Sequence, residues 1–120
     1  MRMGRLVLLA GTAMAITSMA RAQDALAGAK ADLRKLVSLN EVYHAKNKKY
    51  ATSVSDLTSY RPSAGVTVTL GPSSANGWAG SATASGAAGK SCVIYVGQVS
   101  PPKTQAQGLT GPEAVPVCDK

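Results

Sequence analysis

The stretch DALAGAKADLRKLVSLNEVYHAKNK, residues 24–48, carries the pattern that organises the rest of the chain. Six of its positions recur at spacings of three and four, which places them on one face of a helix. They are Leu26, Ala29, Leu33, Leu36, Asn40 and Tyr43. The stripe is widened by Val37, Leu39 and Val42. No proline interrupts the run, so we predict one long helix with an apolar side.

The two ends of this stretch carry the charges that a helix dipole favours. Asp24 is expected to be the N-cap, and Lys46, Lys48 and Lys49 crowd the C-terminal end. At 1.5 Å per residue the helix would be about 36 Å long, more than twice the roughly 13 Å radius of gyration of a globule of this size. The helix should therefore span the whole domain as a spine.

Beyond Tyr50 the chain has the pattern of short strands separated by turns. Four runs are strand-like: 66–70, 78–84, 92–96 and 115–118. Gly71-Pro72 should stop the first run, the third is the most apolar and should be central, and Pro116 places the fourth at an edge. We predict an α+β fold in which one long N-terminal helix packs on an antiparallel sheet of three or four strands.

Residues 1–22 have the features of a secretory signal peptide. Arg2 and Arg5 precede an uncharged, mostly apolar run at 6–20, and Ala20-Arg21-Ala22 is an A-x-A cleavage signal. A helix of that run would cover about 22 Å, less than the roughly 30 Å of a bilayer core, which favours cleavage over a retained anchor. We expect one exported domain, residues 23–120, without a stable membrane anchor, in the periplasm or outside the cell.

The composition of the exported part limits its chemistry. Loss of Arg2, Arg5 and Arg21 lowers the formal net charge from +7 to +4. Cys92 and Cys118 are the only cysteines, and in an oxidising compartment a disulfide between them is expected. Two cysteines and a single histidine are too few for a structural zinc site.

No pattern in the chain indicates catalysis or a cofactor. Residues 86–91, GAAGKS, lack the first glycine of a phosphate-binding loop, and a strand rather than a helix follows them. His44 has Glu41 one helical turn away, which favours a surface pair over a catalytic base. The six carboxylates are scattered along the chain. We therefore expect neither an active site nor a metal or cofactor.

The basic end of the helix is the one candidate contact patch. Lys46, Lys48 and Lys49 could contact nucleic-acid phosphates, and Tyr43 and Tyr50 could stack on bases. The alternative is a solvated helix end with the tyrosines in the core, which we favour.

The order of motifs from Ala31 to Val99, with the cysteine pair, resembles the globular heads of bacterial type IV pilins and type II secretion pseudopilins. The segments that carry the resemblance are the helix end NEVYHAKNKKY at 40–50, YRPSAGVTV at 60–68, NGW at 76–78, GKSC at 89–92 and PVCD at 116–119. The resemblance implies a spine helix on a sheet, a C-terminal disulfide loop, and a role in a pilus or a secretion pseudopilus.

The N-terminal segment departs from the prepilin pattern. Prepilins place a glutamate five residues after the cleavage-site glycine, whereas Leu9 holds the fifth position after Gly4 here, and no glutamate precedes Glu41. The segment therefore has the pattern of an ordinary secretory signal before a pilin-like head. We expect a soluble, non-catalytic interaction module that is a monomer or weak dimer and forms no filaments by itself, with a pilus or secretion component as its partner. An extracytoplasmic nucleic-acid-binding module is the alternative.

Overall fold

The computed structural model describes the backbone from Arg2 to Lys120 and the side chains from Arg21 onward. Helix α1 runs from Arg2 to Asn47 and is followed by a single 3-10 turn at Val54–Asp56. Four strands complete the fold: β1 (Val66–Ser73), β2 (Gly77–Ala84), β3 (Cys92–Gly97) and β4 (Val117–Cys118). The helix packs on one antiparallel sheet in the order β1-β2-β3-β4, so the predicted α+β fold is confirmed.

Helix α1 begins well before the predicted start at Asp24. Its backbone continues through Ala20-Arg21-Ala22, so the prediction of Asp24 as an N-cap was wrong. The physical reason is that alanine, leucine and methionine, strong helix formers, dominate the residues before Asp24 and no proline interrupts them. The predicted signal peptide, 1–22, lies almost entirely outside the residues whose side chains are described, and its cleavage stays a prediction.

The C-terminal end of α1 is closed by a left-handed residue. Lys48 has a φ of 59°, and its N–H donates to the carbonyl of His44 at 2.8 Å. This bond satisfies one of the carbonyls that a helix end leaves without an intrahelical partner. The chain then turns back along the helix toward the 3-10 turn.

The core lies between the helix stripe and the inner face of the sheet. The fully buried residues of the stripe are Leu26, Ala29, Leu33 and Leu36, and they pack in one cluster with Trp78, Ala82, Cys92 and Ile94. Two polar residues of the helix, Asp32 and Asn40, are buried as well. Val42, predicted to widen the apolar stripe, is 55% exposed, and that prediction was wrong because its side chain lies outside the arc that faces the sheet.

Strand β1 is longer than its sequence pattern predicts. It passes through Gly71-Pro72 to Ser73, with an irregularity in the register between Leu70 and Ser73. A proline is tolerated there because β1 is an edge strand and the ladder is already interrupted at that point. At the same end of the sheet, Gly97 at the end of β3 has a φ of 76°, and a Cβ there would collide with the carbonyl oxygen of Asn76. Only glycine fits that position.

The predicted disulfide joins the last two strands. Cys92 and Cys118 are bonded and lie directly opposite each other, with their Cα atoms 3.9 Å apart. The neighbouring pair is hydrogen-bonded, since the N–H of Asp119 donates to the carbonyl of Ser91 at 3.0 Å. The cysteines therefore occupy a non-hydrogen-bonded position, where antiparallel strands approach most closely. Such a bond is typical of proteins outside the cytoplasm.

Candidate functional site

A buried carboxylate on α1 holds residues 48–65, which join the helix to the sheet and are called the connection below. Asp32 is fully buried and accepts three hydrogen bonds from this connection. The donors are the Ser63 N–H at 2.8 Å, the Ser63 hydroxyl at 2.6 Å and the Tyr60 hydroxyl at 3.0 Å. Lys35, one turn along the helix, lies 3.5 Å from the same carboxylate.

The hydrogen bonds to Asp32 decide its protonation state. Burial by itself would raise the pKa of this carboxyl, but the bonds from Ser63 and Tyr60 and the charge of Lys35 outweigh burial and hold the pKa below its ordinary value. For Tyr60, burial and the neighbouring carboxylate together raise the pKa of the phenol. Asp32 is thus ionised and fully occupied, which makes it a weak base toward Ser63. The cluster acts as a clamp on the connection.

Further contacts fasten the start of the connection to the end of the helix. The Asn40 side-chain oxygen accepts the Ala51 N–H at 2.9 Å in the buried interior. The Tyr50 ring stacks on the imidazole of His44 with the ring centres 4.3 Å apart, and its hydroxyl donates to Glu41 at 3.4 Å. The predicted pairing of His44 with Glu41 was therefore wrong, because each of the two side chains contacts Tyr50 instead. The Nε2 atom of His44 lies 3.1 Å from the Ala75 carbonyl oxygen.

A groove lies between the connection and the C-terminal part of α1, and we call it the helix groove. It has a volume of about 440 Å³. Its apolar lining comes from Leu39, Val42, Tyr43 and Leu57, and charged Lys46 and Asp56 lie at its sides. Val42 is one of two large apolar side chains that are strongly exposed in the described part of the chain, the other being Val115 at 47%.

A second groove lies on the strand side of the connection, and we call it the strand groove. Its volume is about 470 Å³. One wall is the connection, with Val54, Leu57, Tyr60 and Arg61, and the other is the first part of β1, residues 66–68. The two grooves are shallow and open, which is a geometry for contacting another macromolecule over an area rather than enclosing a small substrate.

The predicted basic patch lies at the end of the helix beside the helix groove. Lys46, Lys48 and Lys49 are all exposed, and among the side chains described from Arg21 onward none of the three forms a salt bridge. The two tyrosines proposed to stack on bases are engaged elsewhere. Tyr43 packs against the core and Tyr50 stacks on His44. The lysines are therefore available as a rim of positive charge without free aromatic partners.

A second buried carboxylate holds the loop between β3 and β4 in place. Asp119 is 1% exposed and accepts hydrogen bonds from three backbone N–H groups. The donors are Ser91 at 2.9 Å, Ala106 at 3.0 Å and Gln107 at 2.8 Å. Burial would raise the pKa of Asp119, but these bonds and one from the Thr104 hydroxyl lower it to about 2. The carboxylate ties the loop to β3 next to the disulfide.

We expect Asp119→Asn to destabilise the protein by about 2 kcal/mol at neutral pH, because a folded-state pKa of about 2 lies below the ordinary 3.8. A depressed pKa stabilises the fold fully above pH 3.8, and the contribution is lost as the pH falls through 2. Urea unfolding at several pH values should therefore show the difference between wild type and variant shrinking from pH 5 to pH 2. Asp24→Asn, on an exposed helix position, is the matched control and should change little. A difference that stays constant with pH would contradict this assignment.

The remaining candidates from the sequence have ordinary structural places. Residues 86–91 form the turn between β2 and β3, with Ala87 donating to the Ala84 carbonyl at 3.0 Å. Among the residues described from Arg21 onward, no three histidine, cysteine, aspartate or glutamate side chains converge in a way that could hold a metal ion. Within the same part of the chain, no helix is both long and apolar enough to cross a membrane.

Sequence reasoning missed the two buried carboxylates. A signal for Asp32 was present, since it lies one residue before Leu33 and four before Leu36 within the apolar stripe, where an unpaired charge would be costly. For Asp119 no local signal exists, because its partners come from residues 91 and 104–107. Searches with this chain find no matching family model and no matching curated protein.

Proposed function

We propose that this protein is an exported, non-catalytic interaction module that binds a protein component of a pilus or a type II secretion apparatus, in the periplasm or outside the cell. The observation that carries the proposal is the helix groove, where the exposed Val42 joins an apolar lining and Lys46 lies at its side. Two more exposed lysines, Lys48 and Lys49, follow Lys46 in the chain. Apolar centres with charged rims are typical of surfaces that contact other proteins.

Two further observations support the proposal. The helix packed on an antiparallel sheet is compatible with the resemblance of residues 31–99 to pilin-like heads. The two buried carboxylates, Asp32 and Asp119, are saturated by donors that hold loops in place. We therefore assign both carboxylates a structural role, which is to hold the connection and the C-terminal loop in place.

The charge of the rim indicates the chemistry of the partner. Lys46, Lys48 and Lys49 face solvent, and the exported chain carries a net charge of +4. A partner surface with apolar residues surrounded by carboxylates would complement the groove and would associate faster at low ionic strength. We therefore expect an acidic protein surface.

The proposal predicts that Val42→Asp abolishes partner capture. Immobilised exported protein should retain one or a few pilus or secretion components from the native envelope fraction, and Val42→Asp should lower that capture at least tenfold by placing a charge on the apolar floor. Val115→Asp is the matched control, because Val115 has similar exposure but lies in the C-terminal loop. Equal capture by both variants, or a captured set without pilus or secretion components, would contradict the proposal.

A separate experiment distinguishes protein binding from the alternative of nucleic-acid binding. If the lysine rim binds phosphates, fluorescence anisotropy with a single-stranded oligonucleotide should give an affinity that falls steeply with salt. Replacing all three lysines by glutamine would then remove binding, whereas Val42→Asp would leave it largely intact. Weak binding that is indifferent to salt would exclude this alternative.

A further inference from the structure

Strand β1 leaves one edge of the sheet open, and its register shows which backbone groups face outward. Val66, Val68 and Leu70 pair with Ala84, Ala82 and Gly80, while Thr67 and Thr69 pair with Thr83 and Ser81. The Ser85 N–H donates to the Gly65 carbonyl at 2.9 Å. Because antiparallel strands alternate between hydrogen-bonded and non-hydrogen-bonded pairs, Thr67 and Thr69 bond to β2. The N–H and C=O groups of Val68 and Leu70 therefore point away from the sheet.

The pairing of β2 with β3 confirms this alternation independently. The Gln98 N–H donates to the Asn76 carbonyl at 2.9 Å, which makes the even-numbered residues of β2 the ones bonded to β3. The odd-numbered residues Ser81 and Thr83 then face β1, in agreement with their pairing to Thr69 and Thr67. No hydrogen bond from the described residues reaches the outward groups of Val68 or Leu70.

Apart from the connection, which faces residues 66–68 across the strand groove, this edge lacks the usual protection against added strands. Native edges are commonly short, charged, or interrupted by proline or bulges. Residues 66–70 are uncharged and regular, and Pro72 with its irregular register comes only after them. The opposite edge, β4, has two residues, and the Ala114 N–H covers the Tyr95 carbonyl just beyond it. The β1 edge is therefore the one long edge of this sheet with free pairing groups.

The strand groove runs beside this free edge, and its lining includes one charged side chain, that of Arg61. Its walls place Val54, Leu57 and Tyr60 opposite the first residues of β1. Arg61 lines the groove, is exposed, and donates only to the carbonyls of Thr58 and Tyr60, each at 2.9 Å. An incoming strand would thus find apolar contacts, an open backbone and a positive charge.

We propose that β1 binds an extended, acidic segment of a partner protein by strand addition, with the backbone of Val68 at the centre of the new ladder and Arg61 facing the carboxylates of the segment. Main-chain hydrogen bonds supply affinity in this mode, and the groove selects alternate side chains. A second copy of this chain is disfavoured as the occupant, because it would bring another Arg61 and a net positive charge to the same edge. The inference adds a second surface to the proposed interaction role, distinct from the helix groove.

The probe is a capped ten-residue peptide of alternating valine and threonine with two glutamates, titrated into isotope-labelled protein. Amide hydrogen exchange measured by NMR should slow at least tenfold at Val68 and Leu70 when the peptide is saturating. The amides of Thr67 and Thr69 are internal controls and should not change, since they already bond to β2. Val42→Asp should give the same result, which separates failure of this inference from failure of the helix groove.

The role of Arg61 is tested by charge reversal. Arg61→Glu should weaken binding of the acidic peptide roughly twofold to fivefold, as expected for an exposed charge pair. The same variant should bind a peptide with lysines in place of the glutamates more tightly than wild type does, which also shows that it is folded. Absence of protection at Val68 and Leu70, or shifts centred on Lys46 to Lys49, would overturn the proposal. Protection without peptide, together with dimers in sedimentation, would assign the edge to a second copy and overturn it as well.

Discussion

Removing the Cys92–Cys118 disulfide is expected to lower the free energy of unfolding by about 3.5 kcal/mol. The bond closes a loop of 26 residues, and the chain-entropy estimate for a loop of that length gives this value. Both sulfurs also lie close to the Leu26 carbonyl oxygen, at 3.5 and 3.9 Å, so the bond packs directly under the helix. In a domain of about 100 residues the loss should lower the melting midpoint by about 15 °C or more.

Thermal unfolding of residues 23–120 with and without reductant tests this expectation. Reduced wild type and the double variant Cys92→Ser, Cys118→Ser should melt at similar temperatures, and reductant should not affect the variant further. Thiol titration of unfolded, unreduced wild type should find no free thiol. A midpoint that is unchanged in the double variant would show that the bond contributes nothing to stability.

The second large effect is expected for Asp32→Asn, which should cost about 2–4 kcal/mol at neutral pH. Hydrogen bonds to a charged group each contribute about 1.5–3 kcal/mol, and Asp32 accepts three of them in a fully buried position. An asparagine has one acceptor oxygen and would turn its amide hydrogens toward a donor. Because the pKa of Asp32 is depressed, the penalty should be full above the ordinary pKa of 3.8 and should diminish as the pH falls below it.

Denaturant unfolding combined with hydrogen exchange tests this effect. The Ser63 amide should exchange faster in Asp32→Asn, because it loses its carboxylate acceptor. Asp56→Asn is the matched control, since Asp56 is an exposed carboxylate on the same connection and should cost less than about 0.5 kcal/mol. A penalty below 1 kcal/mol for Asp32→Asn, or an unchanged Ser63 amide, would show that the clamp is not what holds the connection.

The two buried carboxylates, Asp32 and Asp119, each hold one irregular segment of the chain against the rest of the fold. Asp32 fixes the middle of the connection, which lines both grooves. Asp119 fixes the loop at 104–107 against β3. Asp32→Asn should therefore loosen the part of each groove that the connection forms.

Local signals in the sequence are enough to predict most elements of this fold. The helical stripe, an antiparallel sheet of three or four strands, the order of the elements and the cysteine pair could all be predicted, because periodicity, turn residues and the count of cysteines can be read from the sequence itself. The start of α1 could not be placed, since helix formers continue through Ala20-Arg21-Ala22 and only the energy of the whole helix decides where it begins.

Which polar side chains are buried and hydrogen-bonded, and which apolar side chains and strand edges stay exposed, depends on the tertiary structure. Asp32 reaches Ser63 across 31 positions of sequence, and Asp119 reaches Ser91 across 28. Val42 became exposed and Asn40 buried because the sheet covers one arc of the helix, which periodicity alone does not locate. The edge of β1 likewise stays open because β2 is its one neighbour in the sheet, which depends on how the strands pair. Contacts between residues distant in sequence depend on how the elements pack, and local propensities contain no information about that packing.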